Sequence, residues 1–180
     1  MRQWCEWRHG SLPTGKRRFD SDPDALMNSD KKGKRAEREL AHILTARFSR
    51  PFSRIPQSGN RFSQVQLPDH VKPAYVGDLV TPPDFRFAIE AKCGYPGIDL
   101  GRIVATGQPS AQLDRMLDQA QRDADRLDRE PLLALKQSRR PWVVFTRCGP
   151  AGDIYARYRD WWAVSLDVWL RQDDAAYLRA

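Results

Sequence analysis

The sequence predicts an α/β fold in which a central mixed β-sheet carries a helix on either side. Three observations lead there. Two segments, about 31–48 and 111–129, place apolar residues at three- and four-residue spacing, the signature of amphipathic helices. Short apolar or alternating segments bounded by Gly and Pro read as strands. The two kinds of segment interleave along the chain as helix, strand, hairpin, helix, hairpin, final strand and short helix, which fits layers packed on one sheet. At 180 residues the chain fits one domain with a sizeable core.

Residues 1–28 mix Gly, Ser, Pro and Asp without period and read as a flexible leader, with the folded domain expected over 29–180. Met27, directly before Asn-Ser-Asp-Lys-Lys-Gly, is a candidate start. Ser29 or Asp30 can cap a helix that begins in Lys31-Lys32-Gly33-Lys34 and runs to about Phe48, with Leu40, Ile43, Leu44 and Phe48 as its apolar stripe. Glu37 falls on the edge of that stripe. Phe52–Pro56 is a candidate strand, and Ser58-Gly59-Asn60 a turn whose amides and side chains can hold a phosphate. Residues 61–75 have no period and read as a loop or insertion. Val76–Gly94 reads as a hairpin about Thr81-Pro82-Pro83-Asp84, and 99–109 as a connection with helical pieces. Ser110 caps the second helix, whose apolar side is Leu113, Leu117, Ala120, Ala124 and Leu127. Pro141–Arg147 and Asp153–Arg159 form a second predicted hairpin. Residues 161–170, rich in Trp, give a last strand and helix, and so dense an aromatic cluster suits a core or dimer surface better than base stacking.

Composition excludes several classes. No apolar run approaches the roughly 18 residues of a membrane span, and the first thirty residues lack a secretion-type apolar region, so a cytoplasmic protein is expected. Cys5, Cys93 and Cys148 are far apart and odd in number, which argues against a zinc finger or disulfide framework. The formal charge is +7, and its distribution is informative. Residues 1–30 and 63–180 are each balanced, whereas 31–62 carry nine Lys and Arg against Glu37 and Glu39. A concentrated basic segment in a balanced chain is the footprint of a polyanion contact, the alternative being a solvated basic helix. Lys31, Lys32, Lys34 and Arg35 are its densest part.

The chemistry gathers in Val76–Gly94. Glu90 and Lys92, two apart on a strand, share one face with Ala88, while Phe87, Ile89 and Ala91 face the other way. Folding about Asp84 sets Asp78 across from Glu90. Cross-strand Cβ atoms about 4.5–5.5 Å apart let two carboxylates share a hard cation. Asp78 and Glu90, with the Ala91 backbone carbonyl, would ligate Mg²⁺, for which Mn²⁺ can substitute. Lys92 would orient a water or neutralise charge in the transition state of phosphodiester hydrolysis. Glu37 would hold a second ion or a metal-bound water, and Arg38 and Arg54 would anchor the phosphate. Asp84 competes with Asp78, but six extended residues would hold it about 20 Å from Glu90. Asp78 is therefore preferred.

In this order, Lys32–Leu40, Arg54, Ser58-Gly59, Gly77-Asp78-Leu79 and Ile89-Glu90-Ala91-Lys92 resemble the archaeal-type Holliday junction resolvases of the PD-(D/E)xK nuclease superfamily. Gln119-Ala120 on a helix, followed by a Pro-Trp-Val-Val-Phe strand, is similar to phage-borne resolvase-like proteins of the same superfamily. The resemblance implies a restriction-endonuclease-like core and a homodimeric Mg²⁺-dependent endonuclease that nicks four-way DNA junctions in pairs, in recombination and repair, without a small-molecule cofactor. It also implies catalytic roles for Glu37, Asp78, Glu90 and Lys92. Gly77 stands in place of the family's proline, and the stretch from Asn60 to Val76 is longer than in the archaeal enzymes. Gln119 matches a glutamine that related nucleases place near the metal, and has an equal claim to be a helix-surface residue. Two other readings stand beside this one: a nuclease of the same fold acting on flaps, ends or single strands, and a non-catalytic DNA-binding module. The intact acid-acid-lysine set argues against the last.

Overall fold

The computed structural model describes residues 23–55, 76–149 and 156–179. The leader before Pro23, the Ser58-Gly59-Asn60 turn and the 61–75 insertion lie outside the described residues. Helix α1 (Pro23–Phe48) is followed by strands β1 (Ser53–Arg54), β2 (Leu79–Val80) and β3 (Phe87–Cys93). Helices α2 (Leu100–Thr106) and α3 (Ala111–Leu127) come next. Strands β4 (Glu130–Lys136), β5 (Trp142–Thr146), β6 (Ala156–Tyr158) and β7 (Trp161–Ser165) and helix α4 (Leu166–Trp169) complete the order.

Five strands form the main sheet in the order β3-β4-β5-β7-β6. The β3–β4 pair is parallel, with Glu90 opposite Leu133, and the remaining pairs are antiparallel. Because side chains alternate along a strand, the sheet sorts them into two cores. On one face Leu40 and Leu44 of α1 meet Phe87, Ile89, Leu132, Val144 and Trp169. On the other, Leu113, Met116, Leu117 and Ala120 of α3 meet Leu133, Leu135, Phe145 and Trp161. Ser110 caps α3 as expected, its Oγ accepting from the Leu113 amide at 3.4 Å. Glu39 locks α1 to the sheet: Lys136 donates to its carboxylate, and Trp142 Nε1 does so at 3.2 Å. The Lys136 contact is the main reason the Glu39 carboxyl is held below its ordinary range.

Four local expectations are corrected. Helix α1 starts at Pro23, so Ser29 and Asp30 are interior rather than capping residues, and the end of the presumed leader is helical. Pro suits a first helical position because its missing N–H would have no partner there. Strand β4 was not foreseen. Its Leu132-Leu133-Ala134-Leu135 run has no β-branched residue and reads locally as helix, but it is buried on both faces and pairs along its whole length with β3. Strand β5 pairs with β7 and not with β6, which instead makes a tight hairpin with β7 through Arg159-Asp160. Finally, β2 pairs with β1, with Arg54 opposite Leu79, and this segment is hydrogen-bonded to β3 through Asp78, just before β2.

Candidate active site

Strand β3 is an edge of the main sheet, and its outer side is where the chain brings Asp78. The Asp78 amide donates to the Ile89 carbonyl at 3.0 Å, and its Oδ2 accepts from the Ala91 amide at 2.9 Å. Those two contacts straddle Glu90, so Asp78 lies across from it as expected, although no regular hairpin is formed. An extended residue directs its N–H and C=O to the same side, so the Ala91 carbonyl also faces the Asp78 edge.

Gly77 makes this approach possible. It adopts φ +85°, and a Cβ there would stand 2.9 Å from the Ile89 carbonyl oxygen. A proline, fixed near φ −65°, cannot take that conformation. The glycine in place of the family's proline is thus a structural requirement of this loop.

Glu90 is 1% exposed, and Lys92, 19% exposed at its side chain, donates to its Oε1. Oε2 of Glu90 is buried and has no hydrogen-bond partner among the described residues. Burial and, after it, the Asp78 charge push the Glu90 carboxyl up to about 8. Burial likewise raises Asp78, against the opposing pull of Lys92 and the Ala91 amide, with the Glu37 charge adding to the rise. For Lys92, burial pulls downward, but the Glu90 and Asp78 charges carry the ammonium above its ordinary value. The centre is therefore a pair of buried, mutually repelling carboxylates with one ammonium, an arrangement short of positive charge.

From α1, Glu37 reaches the same region and accepts from Arg54 Nε at 2.5 Å, with both side chains largely buried. Asp84 is kept apart: it pairs with Arg50 at the far turn. Arg38, Lys31, Lys32 and Arg35 are exposed along α1, and Lys34 is half-buried. The basic segment divides by role, since Arg47 and Arg50 are engaged in tertiary contacts while Lys31, Lys32, Arg35 and Arg38 face solvent. Gln119 is half-buried on α3. The α3 residue whose charge reaches Glu90 is Asp123, one turn further along, which sequence reading missed. Its i+4 spacing from Gln119 was the available signal.

Among the described residues, no three His, Cys, Asp or Glu side chains stand together as a ready metal cage. Two carboxylates and a carbonyl nevertheless suit Mg²⁺, which keeps several waters and usually takes one or two protein carboxylates plus substrate oxygens. The orphaned, desolvated Glu90 oxygen is the observation that fits a cation.

A profile for the family described as "Phage putative PDDEXK endonuclease" matches residues 28–165. The chain belongs to this endonuclease family. Among solved structures, the chain is similar to Archaeoglobus fulgidus Hjc, a Holliday junction resolvase from an archaeal hyperthermophile, at 18% identity and a TM-score of 0.37, over 82% of this chain and 95% of that one. No curated protein matched. The observed mixed sheet with a helix packed on either face is the α/β architecture that was expected. Among the described residues no helix is long and apolar enough to cross a membrane.

Proposed function

We propose that this PDDEXK-family endonuclease is a Mg²⁺-dependent cytoplasmic enzyme that cuts DNA phosphodiesters at the Asp78–Glu90–Lys92 centre, and that its substrate is branched DNA, in the first place four-way junctions nicked in pairs. The juxtaposition of Asp78 with the buried Glu90 carboxylate, whose Oε2 has no hydrogen-bond partner among the described residues, carries the proposal. Asp78, Glu90 and the Ala91 carbonyl would hold the cation, with Glu37 beside it. When bound, the cation supplies Lewis-acid activation of the phosphoryl group and a more acidic water.

The chain's own residues define the remaining chemistry. The Ala91 amide fixes the Asp78 carboxylate through Oδ2. Lys92, held above its ordinary value beside the two acids, remains protonated at neutral pH. It therefore acts as a hydrogen-bond donor and positive charge facing the phosphoryl oxygens, not as a general base. Arg54, which Glu37 orients, would grip a phosphate. Support for junctions as substrate comes from the ordered motifs of the resemblance.

Cleavage of labelled four-way junction, flap, linear duplex and single-stranded DNA with Mg²⁺ tests this reading. Asp78→Asn and Lys92→Ala should each reduce cleavage by at least about a hundredfold, the scale of losing one electrostatic group from a transition state, while retaining DNA binding. Undiminished cleavage by either variant would remove the proposed centre. Preference of the wild type for linear duplex over junctions would overturn the substrate.

A further inference from the structure

Beyond Lys92, β3 ends at Cys93 and opens onto a cleft of about 540 Å³ between α1 at Lys32 and the β4–β5 turn. Lys32, Cys93, Gly94, Gln137, Ser138 and Arg140 line it. The turn is closed by the Arg140 amide donating to the Gln137 carbonyl at 3.1 Å, with Arg139 at φ +60°. Ser138, Arg139 and Arg140 are all exposed. Among the described residues none of Lys32, Arg139 and Arg140 makes an ion pair, so their charges are not neutralised within the fold. Asp99, the carboxylate in the lining, is engaged: its Oδ1 accepts from the Arg102 amide at 3.0 Å as the cap of α2. The Gln137 side-chain amide is likewise committed to the Ile98 carbonyl. What faces the cleft beside that capping carboxylate is therefore an ammonium, a guanidinium and a hydroxyl, the donors of a phosphate site without base readout.

We propose that this cleft seats backbone phosphates of the DNA strand a few nucleotides from the cut, held by Lys32, Ser138 and Arg140 with Arg139 at its rim. The proposal rests on the nuclease reading. Cys93 lies three residues past Glu90, about 10 Å along a strand, which corresponds to about three base-pair steps at about 3.4 Å each. The strand is thus gripped on both sides of the reacting phosphate, by Arg54 at the Asp78 end of the centre and by the cleft at the Lys92 end. The β4–β5 turn, outside the basic 31–62 segment, becomes part of the DNA-binding surface.

Two measurements on the full chain with four-way junction DNA test it, using Arg139→Ala/Arg140→Ala and, as a control, Arg122→Ala on the exposed side of α3. In the wild type, bound DNA should protect Cys93 from maleimide, scored peptide by peptide against Cys148. The double variant should lose that protection and show a log K against log salt slope shallower by about 1–2, at about 0.9 per phosphate contact. Lysine replacements at both positions should restore the slope, and Arg122→Ala should leave it unchanged. DNA that binds and is cut without protecting Cys93, or a double variant with the wild-type slope, overturns the cleft while leaving the nuclease intact. A wild type that binds no DNA overturns both.

Discussion

At the scale of residues, the centre trades stability for chemistry. Glu90 is protonated in the folded, metal-free chain up to about pH 8, while its ordinary value is 4.5. Between those values the folded state holds a proton that the unfolded state releases, so metal-free stability falls as pH rises from about 4.5 to about 8. Asp78, also raised, acts in the same direction. Glu90→Gln removes the larger of these contributions. Thermal melting in a chelator should show the variant more stable than wild type at pH 8, by an amount on the order of 4 kcal/mol, each tenfold change in proton affinity being worth about 1.4 kcal/mol, and much closer to wild type at pH 5. Mg²⁺ should raise the wild-type midpoint at pH 8 and leave that of the variant unchanged. A variant that melts below wild type at pH 8 would show that Glu90 is not held against its own charge. Gly77 gives a second residue-level prediction. Gly77→Ala forces a side chain into φ +85° and against the Ile89 carbonyl, at a cost of about 1–3 kcal/mol. It should also impair cleavage, since Asp78 is the next residue, and a melt unchanged from wild type would refute it. The acid, the Glu-x-Lys and Glu37 were legible because their chemistry resides in residue type and strand period. The requirement for Gly77 was not legible, since it depends on a backbone carbonyl twelve positions away. Asp123 was hidden among the alternating charges of α3, and only packing singles it out.

At the scale of elements, what the sequence disclosed depended on which faces an element buries. Helices α1 and α3 each present one apolar stripe, and their period revealed them. Strand β4 is covered on both faces and so has no period. Its leucines carry no β preference, and pairing with β3 and β5 decides its state. Pairing partners were equally illegible: the five-residue connection 148–152, rich in turn formers, suggested a hairpin between β5 and β6, but β7 occupies that place. Arg47 illustrates a charge that serves the fold. From the last turn of α1 it donates to the Leu170 carbonyl at 2.8 Å and the Gln172 carbonyl at 3.0 Å, pairs with Asp174 at 3.0 Å, and lies over the Phe48 ring. Arg47→Ala leaves those carbonyls without their donor and should cost about 2 kcal/mol, lowering Tm by roughly 4–8 °C, with DNA affinity unchanged at fixed salt. A loss of DNA affinity at an unchanged Tm would instead place Arg47 on the binding surface.

At the scale of the whole molecule, one chain presents one Asp78–Glu90–Lys92 centre, on one edge of one sheet. Paired nicks in a four-way junction require two centres related by the symmetry of the two cut strands. A twofold dimer is the simplest assembly that provides them. The consequence can be measured without knowing the interface. On a supercoiled plasmid that extrudes a cruciform, two coupled nicks give linear product, whereas one nick releases the supercoil and gives a nicked circle. Wild type should yield mainly linear DNA. Asp78→Asn chains, differentially tagged and allowed to exchange with wild type before the isolation of mixed assemblies, should shift the product to nicked circles, because one centre of each pair is silent. The same mixed assemblies should bind the junction as tightly as wild type. Linear product from mixed assemblies at the wild-type fraction, or cleavage by a species that sediments as a monomer, would show that the two cuts do not come from two copies of this site.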